Sequence, residues 1–302
     1  DFAYKNGMSA LALTDHGNMN GMSYQVLHAK KMKAEGKEFK PIFGVEAYFV
    51  PSISEWKREY EKAKSDKKEA KKLSTSDKVE TEDENASKSK SKSKVSSYGH
   101  LVLVAMNQTG LNNIYKIVSD SHQGDNFYRK PRLDYQLLKQ YGEGVIASSA
   151  CLGGVYARNY WDNREFGREA VLNAMRETTK RMVDCLGDRW YGELQWNNVP
   201  EQHELNEYVV QMHEEFGIEL ISTADSHYPN PDAWRDRELY KRLGWLGSKL
   251  PEWANTELPV SVEEVGHELY PKNGDQMWES YKHYSQLCGV TYDDDVVYDS
   301  IV

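Results

Sequence analysis

Short apolar runs that break off abruptly into metal-ligating side chains constrain this chain more than any other feature. The first is Ser9-Ala10-Leu11-Ala12-Leu13, lying between Gly7 and Gly17 and running straight into Thr14-Asp15-His16-Gly17-Asn18. A run so short, apolar and glycine-bounded predicts a buried strand of a parallel sheet. In α/β folds, polar residues gathered at the C-terminal end of such a strand mark a site. Asp15 offers a hard oxygen, and His16 a ring nitrogen suited to zinc, manganese or iron. The same pair also suits a structural role, with Asp15 capping the next helix and His16 satisfied by a backbone carbonyl.

The pattern recurs along the chain. Strands are predicted over 42–50 with Glu46 in the middle, 99–105 with His100 at the start, and 145–150 running into Cys151. Two more follow, over 190–195 carrying Glu193 and over 219–224 ending in Asp225-Ser226-His227-Tyr228. Between them, 20–35, 111–122, 164–186 and 201–216 read as helices, and 1–6 as the tail of another closed by Gly7. Strands alternating with helices through parallel connections predict an α/β barrel or an open sheet. From Pro229 onward the strands stop, and a helix is expected over 274–288.

Residues 52–97 interrupt this order. They open as a charged helix over 55–72 and end in Ser87-Lys88-Ser89-Lys90-Ser91-Lys92-Ser93-Lys94. Such a composition cannot bury enough apolar surface to offset chain entropy, so a mostly disordered insertion is expected. Its lysines suit either a solvated tether or a path for phosphate. The net charge of −9 argues against a simple nucleic-acid coat. Residues 55–94 hold 13 Lys+Arg and 10 Asp+Glu, a net of +3, leaving −12 on the rest. Contact with DNA must therefore be local. The stretch 126–134, in which Arg129, Lys130 and Arg132 alternate with Phe127, Tyr128 and Pro131, is the candidate; a solvated turn stiffened by Pro131 is the alternative. The three cysteines are odd in number and far apart, which points away from a disulfide framework and toward a reducing cytoplasm. No apolar run approaches the roughly 20 residues of a membrane span.

The candidates for chemistry are thus Asp15, His16, Glu46, His100, Cys151, Glu193, Asp225 and His227. Singly, each has a plain structural reading: a satisfied histidine, a small core thiol, a surface glutamate. Together they point to the mouth of a barrel, where strand ends remote in sequence converge. A mixed histidine and carboxylate set with one thiol suits Zn, Mn or Fe better than Mg. Metals held side by side serve the hydrolysis of phosphoesters. The sequence carries no Gly-rich phosphate loop with a trailing Lys-Ser/Thr, no serine-hydrolase elbow and no Cys-x-x-Cys finger.

In order, Thr14-Asp15-His16-Gly17-Asn18, Lys40-Pro41-Ile42-Phe43-Gly44-Val45-Glu46, His100-Leu101-Val102-Leu103, Phe127-Tyr128-x-Lys130-Pro131-Arg132, Ser149-Ala150-Cys151-Leu152-Gly153-Gly154 and Asp225-Ser226-His227-Tyr228 resemble one known family. It is the N-terminal polymerase-and-histidinol-phosphatase (PHP) domain of bacterial or phage replicative DNA polymerase III α subunits. The resemblance covers about residues 9–228. It implies a distorted, TIM-like βα barrel with a trinuclear metal site held by His16, Glu46, His100, Cys151, Asp225 and His227. Asp15 and Glu193 stay as candidates for supporting catalysis. Members with a full ligand set are similar to metal-dependent 3′→5′ exonucleases. Others look structural, stabilising the polymerase or docking a proofreading subunit, and a free-standing phosphoesterase is the further alternative. Implied partners are DNA, the rest of the α chain, a proofreading exonuclease subunit and a sliding clamp.

The resemblance also divides the chain, into a first PHP part over 1–51, the insertion over 52–97 and a second PHP part over 98–229. Residues 230–302, a helical extension, are expected to be a linker toward a polymerase palm. The family's opening His-x-His motif and the palm itself are not in this sequence, so the chain is expected to be a fragment, or one piece of a split or intein-interrupted gene, with an incomplete site.

Overall fold

The computed structural model describes residues 1–76, 98–243 and 258–302. In chain order it runs α1 (Phe2–Lys5), β1 (Ala10–Leu13), α2 (Met22–Ala34), β2 (Lys40–Phe49), α3 (Ile53–Ser76), β3 (Gly99–Ala105) and α4 (Gln108–Ser121). It continues with β4 (Phe127–Tyr128), β5 (Lys130–Leu133), α5 (Tyr135–Tyr141), β6 (Val145–Ser148), α6 (Val155–Asn163), α7 (Arg168–Leu186), β7 (Trp190–Gln195), α8 (Pro200–Phe216) and β8 (Glu219–Thr223). The extension holds α9 (Trp234–Leu243), α10 (Val262–Val265), α11 (Gly274–Cys288) and α12 (Asp294–Asp299). Among the described residues no helix is long and apolar enough to cross a membrane.

Local chemistry sets most of these boundaries. The Asn107 side chain caps α4, Pro200 opens α8, and Gly217 closes it in the left-handed region. Asn273 and Gln276 form a reciprocal capping box on α11. One buried carboxylate, Asp134, accepts from Gln136 and Leu137 to start α5, and also from the Ile53 amide to seat α3.

The strands form one curled sheet in the order β4-β5-β2-β3-β6-β7-β8, with β1 beside the first half of β2, and helices packed around it make a distorted α/β barrel. Val45, Leu101, Leu103, Val145, Ala147, Trp190 and Leu194 present the apolar face. Against them pack Ile114 of α4, Tyr156 of α6, Met175 and Met182 of α7, and Val209 and Met212 of α8.

The expectation of uniformly parallel connections does not hold. β3 is antiparallel to both β2 and β6, whereas β1–β2, β2–β5, β6–β7 and β7–β8 are parallel. The chain leaves β2 at Val50 and re-enters at Gly99, opposite Phe49, so β3 starts where its neighbour ends. His100 therefore lies at the same end of the sheet as the C-terminal ends of the parallel strands.

The charged helix expected over 55–72 at the start of the insertion is α3; the expected disorder falls largely on residues 77–97, which lie outside the described residues. Ile53 and Trp56 anchor α3 in a small apolar cluster with Val50, Tyr60 and Tyr98. The helical extension packs on the barrel: Met277, Tyr281 and Val297 belong to the main core. The Ser222 amide of β8 donates to the Ser300 carbonyl at 2.7 Å.

Candidate metal centre

Alternation along β2 puts Glu46 and Tyr48 on one face, and Tyr48 lies directly across from His100. His16 extends the β1 ladder to pair with Glu46: the Glu46 amide donates to the Asp15 carbonyl at 3.1 Å, and the Gly17 amide to the Glu46 carbonyl at 2.8 Å. Gly17 is required there. Its φ is +69°, and a Cβ would stand 2.8 Å from the Tyr48 ring. On the far side, the His100 amide donates to the Gly153 carbonyl at 2.8 Å, joining β3 to the turn that carries Cys151.

One nitrogen each from His16 and His100 and one oxygen of Glu46 lie within 4.8 Å of one another. Glu46 is the centre of the group. His16 Nε2 is 3.5 Å from Glu46 Oε2, and His100 Nδ1 contacts Oε1. Cys151 Sγ is 3.9 Å from His100 Nδ1 and accepts the Gly153 amide at 3.4 Å. The His227 ring is 6.1 Å from that of His16, and its Nδ1 is 3.7 Å from Asp225 Oδ1. All six residues implied as ligands thus lie about one mouth. Asp225 adopts φ 45° and Ala150, just before Cys151, φ 58°, an uncommon region for residues other than glycine. Backbone strain is thereby concentrated beside the ligands.

Burial disfavours the charge on Glu46, but its hydrogen bond to His100 and the surrounding histidines outweigh this and hold its carboxyl below the usual value. Burial pushes the Asp225 carboxyl up, against the pull of His227. Burial, reinforced by Asp225, pushes the Cys151 thiol up as well. Two imidazoles and a buried carboxylate fit a divalent ion of the zinc, manganese or iron type.

The other candidates are placed differently. The Asp15 carboxylate turns away to accept the Gly21 amide at 2.7 Å at the entry to α2, which is its alternative, capping role. Glu193 is buried between β6, β7 and β8, accepting from Ser148 and Thr223 at 2.5 Å each and from Gln195 at 3.0 Å. Burial pushes its carboxyl up. The expected loop over 126–134 is a β4–β5 hairpin with Arg129 at its tip. Lys130 Nζ donates to Tyr48 Oη at 3.0 Å, beside the mouth. Arg132 lies inside rather than on a phosphate-facing surface. It is 3% exposed, donates to the carbonyls of Tyr128 and Lys130 at 2.8 and 3.0 Å, and stacks 3.9 Å over Trp56.

A search for ligand types alone misses Tyr48 and Tyr98, whose rings lie 5.7 and 5.9 Å from that of His100. Their signal is period-two spacing: Tyr48 is two residues from Glu46, and Tyr98 two from His100. An apolar groove of about 200 Å³, lined by Phe2, Leu11, Met32, Phe39 and Pro41 among others, shares no residue with the mouth.

A family model described as PHP domain matches residues 1–197. The chain is 35% identical over 286 residues to the DNA polymerase III subunit alpha of Aquifex aeolicus, covering 93% of this chain and 20% of that protein. It is 31% identical over 290 residues to the subunit of Deinococcus radiodurans (93% and 18%), and 29% over 280 to that of Borreliella burgdorferi (92% and 20%). The chain spans about a fifth of the length of these curated relatives.

Proposed function

We propose, from the premise that this chain belongs to the PHP domain family, that it is the metal-holding PHP portion of a replicative DNA polymerase III α subunit. Its site acts on phosphodiesters, in the manner of a 3′→5′ exonuclease. The observation that carries this reading is the convergence of His16, Glu46 and His100 at the barrel mouth, with Cys151, Asp225 and His227 around them. A divalent ion bound there supplies Lewis acidity and a hydroxide nucleophile at neutral pH. Glu46 brings a carboxylate already held in its charged form by the two imidazoles. Glu193, tied to three donors, fixes β6, β7 and β8 against one another beneath the mouth and is a positioning residue. Lys130, hydrogen bonded to Tyr48 at the rim, is the phosphate contact of this reading. DNA, the remainder of the α chain, a proofreading subunit and a sliding clamp are the partners of this reading, in the cytoplasm.

A second reading is a structural or docking module without turnover. It is favoured by the compactness of the ligand group: among the described residues only His16, Glu46 and His100 form a tight triad, enough for one ion rather than several. Elemental analysis and manganese-dependent cleavage of a 3′-labelled oligonucleotide separate the two. We expect at least one Zn or Mn per chain, and a more than tenfold weaker affinity in Glu46→Gln and His100→Ala. Equal metal affinity in wild type and both variants refutes the site. Stoichiometric metal with no cleavage selects the docking module.

A further inference from the structure

Outside the ligand set, a row of aromatic and basic side chains, exposed at Lys64, Tyr128 and Arg129 and half-buried at Tyr60 and Lys130, runs from the insertion helix to the metal mouth. It begins on α3, where Tyr60 lies 4.6 Å, ring to ring, from Tyr128 of β4, and their hydroxyls are hydrogen bonded. Lys64 lies four residues, about one turn, further along α3. Arg129 stands over the Tyr128 ring at 5.6 Å. Lys130 then lies 4.7 Å over the Tyr48 ring, which adjoins His100. Among the described residues, no carboxylate is within ion-pair distance of Arg129 or Lys130, although the chain as a whole carries −9.

The hairpin tip carries a second sign of purpose. Arg129 occupies φ 58° between the paired strands β4 and β5, where glycine would be unstrained. A long cation is thus kept at a position where it costs stability. Strain of that kind is retained where the side chain has a task the backbone does not need.

We propose that Tyr60, Lys64, Tyr128, Arg129 and Lys130 form a binding track for single-stranded nucleic acid, which feeds a strand terminus toward the metal mouth. Stacking platforms interleaved with cations not neutralised by carboxylates are what a single strand requires, because every base has a π-face and every linkage a charge. The track is local, as an acidic body demands. This inference rests on the phosphodiester reading above and adds to it the physical form of the substrate.

The test is fluorescence anisotropy of a labelled oligothymidylate with the whole chain in EDTA, so that metal plays no part. Tyr60→Ala and Tyr128→Ala should each weaken binding about fivefold or more, as removal of a base-stacking platform does. Tyr60→Phe and Tyr128→Phe should bind as wild type, with thermal midpoints confirming that each variant is folded. Arg129→Gly should keep or raise the thermal midpoint while weakening binding. Because each cation on the track neutralises one phosphate, Arg129→Gly and Lys64→Ala should each flatten the salt slope by about 0.7. Unchanged affinity in Tyr128→Ala and Arg129→Gly overturns the track. So does poly-glutamate binding at this face as tightly as the oligonucleotide, because that would mark it as a peptide site. Failure of the phosphodiester reading looks different: Glu46→Gln keeps its metal, while oligothymidylate binding in EDTA is untouched.

Discussion

Replacing Arg132 with alanine distinguishes a cation that builds the fold from one that reads a phosphate. The guanidinium is 3% exposed and makes two charged-donor hydrogen bonds to the carbonyls of Tyr128 and Lys130, besides its stack on Trp56. Bonds from a charged donor contribute about 1.5–3 kcal/mol each. A desolvated cation–π contact adds up to about 2 kcal/mol. Against these stands the cost of burying a cation that has no carboxylate within reach among the described residues, which also lowers its affinity for the proton. The balance is a loss of about 2–4 kcal/mol on truncation, within the range for breaking a buried network. For a chain of this size that lowers the thermal midpoint by about 4–12 °C. Circular dichroism on Arg132→Ala, with oligonucleotide affinity measured on the protein still folded, gives both readouts. A fall of less than about 2 °C together with a flattened salt slope would refute the reasoning and return Arg132 to the DNA-facing set.

Two further perturbations probe the frame around the site. Gly154→Ala places a Cβ 2.0 Å from the Ser149 carbonyl oxygen and 2.8 Å from that of Cys151; the displacement should cost about 1–3 kcal/mol and weaken metal retention by moving Cys151 from His100, which thermal unfolding and elemental analysis read together. Glu215 is gripped by Arg176 of α7 at 2.7 and 2.8 Å, and that hydrogen bonding holds its carboxyl down at about 2. A depressed carboxylate stabilises the fold above its ordinary value of 4.5 and loses that contribution as pH falls toward about 2. The stability gap between wild type and Glu215→Gln should therefore be about 0.5–1 kcal/mol near neutrality, screened as an accessible pair is, and close in acid; a gap that persists at pH 2 contradicts the pairing.

Much of this molecule is legible from local pattern. β3, β7 and α11 fall on the residues expected, because alternation, helical period and capping residues are short-range signals. Local pattern also offers the metal-ligand candidates: His16, His100, Cys151, Asp225 and His227 stand at or near the edge of an apolar run, and Glu46 within one. What local pattern does not contain is direction. Whether β3 runs with or against its neighbours decides which end of the sheet His100 occupies, and only the long-range pairing of Tyr48 with His100 sets that. Burial is the other missing quantity. Arg129, Lys130 and Arg132 read alike in a row, yet the hairpin turns one out at its tip, lays one along the mouth and buries one against Trp56 of a helix 76 positions upstream. Asp15 and His16 likewise part at a single peptide, the carboxylate toward α2 and the imidazole toward Glu46. Sequence thus determined which side chains were available for metal and phosphate. The tertiary structure decided which of them face solvent together, because strand direction and solvent exclusion are properties of packed elements and not of the run of residues that forms each one.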